Sequence, residues 1–167
     1  ICSGSFDSTI CVWDIETTKQ LIVFNKHKNW VRSVKYGLNE SGINGGTNTI
    51  LSGSNDRSIC LWDIRSGQQI QVFNGHLKSV TCVEYSPFVI SNNIEVSGCS
   101  NVICSGSMDN TIRFWDIRSN KKELCAIKGN IEDYDGMRCF KFLRFKKNRK
   151  IINLCYGSSN GSIHIWG

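Results

Sequence analysis

One phrase occurs four times along this chain, and its spacing limits what the chain can fold into more than any single residue does. It reads Ser3-Gly-Ser-Phe-Asp7 leading to Trp13-Asp14, Ser52-Gly-Ser-Asn-Asp56 to Trp62-Asp63, and Ser105-Gly-Ser-Met-Asp109 to Trp115-Asp116. A worn fourth copy runs from Tyr156-Gly-Ser-Ser-Asn160 to Trp166-Gly167. The tryptophans at 13, 62, 115 and 166 are 49, 53 and 51 residues apart. Self-similarity at such a period marks a repeat architecture, in which each unit buries its apolar face only against its neighbours. A surface tiled in this way is suited to holding partners rather than to converting a substrate.

Hydrophobic residues make up 40% of the 167 and charged ones 20%, the composition of a globular chain and not of a disordered one. No apolar run approaches the roughly 20 residues of a membrane helix. The chain begins at Ile1, inside a repeat, and so reads as a piece of a longer protein. Its nine cysteines include no Cys-x-x-Cys pair, and Cys11 and Cys60 each stand two residues before a repeat tryptophan, on the same strand face. Cys82, Cys139 and Cys155 also fall in apolar strand-like runs. They are expected to be reduced thiols acting as small hydrophobes, which points to the cytoplasm, or the nucleus, as the compartment. The net charge of +6 is local: residues 141–150 hold six basic residues and no acidic one, and the rest of the chain balances.

Each repeat divides into four short runs rich in Val, Ile, Phe, Tyr, Trp, Thr and Cys with alternating polarity, as in Ser58-Ile-Cys-Leu-Trp62. After Trp13 they are 21–24, 31–36, 50–52 and 58–62; then 70–73, 80–85, 102–105 and 111–115; then 124–127, 138–145, 151–156 and 162–166. Pro occurs once, at Pro87, and no helical period competes, so the expected class is all-β. Long Gly-, Asn- and Ser-rich or basic spacers recur between the second and third runs, which places the excess length on one face of the array.

The residues now quoted resemble the WD-repeat (WD40) β-propeller family. Asn74-Gly75-His76 and Asn25-Lys26-His27 match its Gly-His element, followed by Ser-Gly-Ser-x-Asp and Trp-Asp-Ile, and the likeness spans essentially residues 1–167. The resemblance implies an incomplete propeller of about 3.5 blades of four-stranded antiparallel sheet, with some fourteen strands. The first blade would lack its inner strand and the last its outer strand, leaving open strand edges. It also implies a hydrogen-bond relay of His27, Ser52, Asp56 and Trp62, and a second of His76, Ser105, Asp109 and Trp115. In the last repeat Asn130, Tyr156 and Asn160 stand where His, Ser and Asp belong, so that blade is expected to be the softest.

Ser, His and Asp together could suggest hydrolysis, but the trio recurs at constant spacing with a tryptophan, as a structural element would. Neither an enzyme activity, nor a cofactor, nor a metal, nor a small-molecule substrate is expected. The primary reading is a protein-interaction scaffold. The resemblance puts Phe6, Trp30, Arg32, Asn55, Ser79, Thr81, Met108 and Arg138 on the partner-binding face. Trp30 belongs to no relay: it either packs inside its blade or serves the surface, where neighbouring Lys28 and Arg32 would favour an acidic or phosphorylated partner. A second reading is the substrate-receptor subunit of a cullin-4-type ubiquitin ligase, with Arg65 and Arg118, which follow Trp-Asp-Ile, contacting the adaptor. A third is anionic lipid or nucleic acid bound by Lys146, Lys147, Arg149 and Lys150.

Overall fold

A computed structural model describes residues 1–37, 48–86, 101–118, 123–129, 136–144 and 152–166. Every regular element in them is a β-strand: β1 (Cys2–Gly4), β2 (Ile10–Trp13), β3 (Gln20–Phe24), β4 (Val31–Tyr36), β5 (Thr49–Ser54), β6 (Ser58–Asp63) and β7 (Gln68–Asn74). The remaining seven are β8 (Val80–Tyr85), β9 (Val102–Ser107), β10 (Thr111–Asp116), β11 (Glu123–Lys128), β12 (Met137–Arg144), β13 (Ile152–Ser158) and β14 (Ile163–Trp166). They form four antiparallel sheets in chain order: I (β1-β2-β3), II (β4-β5-β6-β7), III (β8-β9-β10-β11) and IV (β12-β13-β14). Sheet I thus lacks an innermost strand and sheet IV an outermost one, so the chain is an arc of a propeller.

Alternation along each strand gives every central sheet two buried faces. On sheet II, Ile50, Cys60 and Trp62 pack with Ile10, Val12 and Phe24 of sheet I. Its opposite face, Leu51, Ile59, Leu61 and Phe73, packs with Val80, Val83, Ile103 and Trp115 of sheet III. Cys104 and Ile112 then meet Met137, Phe140, Leu154 and Tyr156 of sheet IV. Trp62 and Trp115 are 1% exposed, whereas Trp13, whose face no sheet covers here, is 36% exposed. All eight cysteines among the described residues are free thiols, and burial pushes Cys60 up to about 12. Cys139 departs from the expectation of burial, because it lies on the uncovered face of sheet IV.

The Ser-Gly-Ser phrase also differs from expectation. The runs were expected to stop at Ser52 and Ser105, yet β5 and β9 carry the ladder through Ser54 and Ser107. The glycine therefore does not make a turn; it admits the next sheet. A Cβ on Gly53 would lie 2.7 Å from Val80 Cγ1, and one on Gly4 2.6 Å from Val31 Cγ1.

On this frame a buried relay fastens the loops. His27 Nδ1 is 2.8 Å from Asp56 Oδ2, and its Nε2 is 2.7 Å from Ser52 Oγ. Trp62 Nε1 donates to the same hydroxyl at 2.8 Å. An ionised carboxylate only accepts, so Nδ1 carries a proton, and Nε2 shares a hydrogen bond with the Ser52 hydroxyl. His76, Asp109, Ser105 and Trp115 repeat the arrangement at 2.9, 2.8 and 2.9 Å. Both ring nitrogens of each histidine face protein partners. In sheet I, Trp13 Nε1 still donates to Ser3 Oγ at 2.9 Å. In sheet IV, Tyr156 is buried and stacks on His164 at 4.8 Å, an aromatic pair where the other sheets have the serine.

Burial alone would raise the Asp56 pKa. Bonds from His27, the Ser58 hydroxyl and the Lys28 and Ser58 amides overcome it and hold the carboxyl well below its ordinary 3.8. Asp109 is held down likewise by His76, Thr111 and the Leu77 amide against its burial.

Three outcomes follow. Gly53→Ala should destabilise the chain by about 1–3 kcal/mol through overpacking, with part of the loss recovered by adding Val80→Ala, as read by denaturant unfolding. Ser105→Ala should cost about 1–3 kcal/mol because two buried partners lose their bond, while Ser3→Ala, beside an exposed indole, should cost under about 1. Because both aspartates are depressed on folding, their stabilisation is present above the unfolded pKa of 3.8 and is lost as pH falls below it. Asp56→Asn and Asp109→Asn should flatten that acid limb of stability against pH.

Candidate functional site

At one end of the array, the β1–β2, β5–β6, β9–β10 and β13–β14 turns meet the loops that enter β4 and β8. In each turn an Asx oxygen accepts the amide two residues on: Asp7 from Thr9 at 2.9 Å, Asp56 from Ser58 at 3.0 Å, Asp109 from Thr111 at 3.1 Å, and Asn160 from Ser162 at 2.9 Å. Retaining an Asx acceptor at position 160 preserves the turn although Tyr156 stands in place of the relay serine. The following residue is left-handed in every copy: Ser8 at φ 73°, Arg57 at 71°, Asn110 at 62° and Gly161 at 92°. Only the last is glycine, so three turns hold a side chain in a conformation that disfavours one.

The turns are also tied to the inner strands. The Asn55 amide donates to Trp30 O at 2.9 Å, Met108 to Ser79 O at 3.0 Å, and Ser159 to Gly136 O at 3.0 Å. One fixed backbone frame therefore presents a different pair of side chains on each sheet. Phe6 occupies in sheet I the place of Asn55 in sheet II, and Trp30 occupies that of Ser79 and Gly136. Among the described residues at these positions, two large aromatics meet only between sheets I and II. Phe6 and Trp30 stack with centroids 4.4 Å apart and planes at 28°. Arg32 Cζ lies 5.4 Å from the Trp30 ring, and its Nε donates to Asn55 Oδ1 at 2.7 Å. Trp30 is 41% exposed and Phe6 67% exposed, which resolves the two alternatives for Trp30 in favour of the surface.

The other four candidate residues do not join this cluster. Thr81 Oγ1 donates to Met137 O at 2.7 Å, with Gly106 O as a second acceptor at 3.1 Å, and so straps sheet III to sheet IV. Ser79 and Met108 are half-buried in the frame, and a Cβ on Gly136 would come within 2.4 Å of the Met108 backbone. Arg138 is exposed on sheet IV. Arg57, which the motif reading passed over, is exposed in the turn beside Asn55; its place directly after the repeat aspartate was the signal available.

At the opposite end, Arg65 is exposed, with its amide on Asp63 Oδ1 at 3.0 Å and its guanidinium against the Asn48 side-chain amide. Arg118 doubles back onto Asp116 at 3.3 Å through both Nε and Nη2. Each arginine thus has a local partner on its own sheet. Lys146, Lys147, Arg149 and Lys150 lie outside the described residues, as does Asn130. A groove between β3 and the β6–β7 hairpin is lined by Asn25, Lys26, Gln68 and Gln69 over Trp62, and holds no acid–base pair.

Comparison with known proteins agrees with this geometry. No curated protein sequence matches the chain. A solved structure, that of U3-55K, superposes with a TM-score of 0.71 at 20% sequence identity, a likeness in fold alone. It covers 99% of this chain and 42% of U3-55K, so the chain spans less than half of that protein's length. The family model described as WD domain, G-beta repeat matches residues 18–63 and 67–116, the two units that carry complete relays, each running from the outer strand of one sheet through the three inner strands of the next. The chain belongs to the WD40-repeat family of β-propeller proteins.

Proposed function

We propose that this chain is a non-catalytic scaffold that binds other proteins through the end of the array carrying Phe6, Trp30, Arg32 and Asn55. WD40 repeats in general serve protein interaction, and fold by itself does not select a partner. The observation that carries the reading is the local departure from the repeat. Where the other sheets put Asn55 with Ser79, and Met108 with Gly136, this seam puts Phe6 against Trp30, both open to solvent. A repeat frame has no structural need for two exposed aromatics at one of its equivalent positions. Large side chains of limited rotamer freedom, backed by an arginine, are what an interface hot spot requires.

The relay supplies the rigidity such a site needs. His27 and Asp56 hold the loop that ends in Trp30, through the Lys28 amide on Asp56 Oδ2 at 2.9 Å. Asn29 Oδ1 takes the Trp30 amide at 2.8 Å, so the ring enters binding already placed.

Trp30→Ala should leave the unfolding midpoint within about 1 kcal/mol of the parent while removing about 2 kcal/mol or more of partner affinity. Quantitative affinity purification beside a denaturation curve measures both. Equal recovery of every partner would overturn the assignment of this site, and a collapse in stability would make Trp30 a core residue instead.

A further inference from the structure

Among the described residues, three cations along the sheets and at the opposite end are held in ion pairs: Lys35 Nζ meets Glu84 Oε2 at 2.9 Å, Arg113 meets Glu123 at 2.5 Å, and Arg118 meets Asp116. At the end bearing Trp30, the exposed Lys26, Lys28, Arg57 and Lys78 side chains have no ion-pair partner among the described residues. The Arg32 Nη groups have none either, since only its Nε is used. Asp56 and Asp109 there accept from histidines and backbone amides, while Asp7 is exposed and accepts the Thr9 amide and hydroxyl. Lys26, Lys28, Arg32, Arg57 and Lys78 against Asp7 therefore leave an excess of positive charge around one exposed aromatic pair.

Resting on the scaffold reading above, we infer that this site takes an extended acidic peptide of a partner protein. A ring or long aliphatic side chain of the peptide lies on the open face of Phe6, and flanking carboxylates pair with Arg32 and Lys28. Arg32 suits this task because its fork is held in advance. Nε is fixed on Asn55 and the guanidinium sits beside the Trp30 ring, so its two terminal amino groups donate to a carboxylate in the bidentate geometry with little further loss of rotamer freedom. Arg57, left-handed at φ 71° in the turn that carries Asn55, keeps a third cation beside the same ledge.

The arrangement fits single-stranded nucleic acid less well. Sequence-tolerant binding of a strand uses successive, separated aromatic platforms along a basic groove. Here Phe6 and Trp30 stack on each other and form one ledge.

Fluorescence anisotropy tests the inference with a short fluorescein-labelled peptide of Glu and Asp around a single Phe. Controls are its Gln/Asn counterpart, the same acidic peptide with Ala for Phe, and an oligouridine of similar length. The acidic Phe peptide should bind about tenfold or more tightly than either altered peptide and weaken as salt rises. Arg32→Gln, Lys28→Gln and Phe6→Ala should each lower its affinity severalfold with thermal unfolding unchanged, while Arg118→Gln at the far end should leave it intact. Equal binding of the uncharged peptide, indifference to Arg32→Gln and Lys28→Gln, or preference for oligouridine would each overturn the inference. If no peptide binds but partner recovery still depends on Trp30, the acidic class is wrong and the scaffold reading stands; if that dependence is also missing, both fail.

Discussion

Everything in this structure depends on sheets lying face to face at close range. Each sheet is only a few strands wide and cannot keep a dry interior by itself, so its two faces must be covered by its neighbours. The contact is set by small and large residues in register. Gly4 and Gly53 give up a side chain so that Val31 and Val80 of the next sheet can approach, and Trp62 and Trp115 fill the space further out. Where a neighbour is present the tryptophan is sealed, and where none is present Trp13 stays partly wet. The energy of the fold is therefore carried by the seams between sheets, and a sheet at either end of the arc has one face's worth less of it.

Packing of this kind buries an indole N–H, and the relay is the answer to that requirement. Ser52 and Ser105 satisfy the indoles, His27 and His76 satisfy the serines, and Asp56 and Asp109 anchor the histidines. Since each histidine lies in a loop entering the next inner strand, a bond needed for burial also fixes the surface loops. Stability and the placement of the proposed binding residues are thus coupled through the same few atoms. The fourth repeat shows what is dispensable: Tyr156 and His164 replace the polar chain with stacked rings, yet Asn160 keeps the turn.

The proposed function is located by contrast with this regularity. Three seams share one backbone pattern, and only one of them bears a stacked Phe6–Trp30 pair with a preset Arg32. Side chains that the repeat does not require are the ones free to be selected for a partner.

The sequence by itself determined the class and the repeat, which follow from local patterns, alternation within a strand and a fixed period between strands, that need no long-range information. The strand number, the missing inner and outer strands and the relay residues followed from its resemblance to the WD40 family, carried by the same repeated motifs. The sequence also singled out Trp30 as a residue outside the repeat. Only the tertiary structure decided that Trp30 is exposed, since nothing in its neighbourhood along the chain shows that Phe6, on another sheet, lies 4.4 Å away. The same holds for Thr81, whose hydroxyl is taken up by a carbonyl 56 residues on, and for the Ser-Gly-Ser glycines, whose reason is a valine of the adjoining sheet. Contacts across a seam join residues whose separation depends on how the sheets stack, and that is set by the packing of whole faces and written in no single repeat.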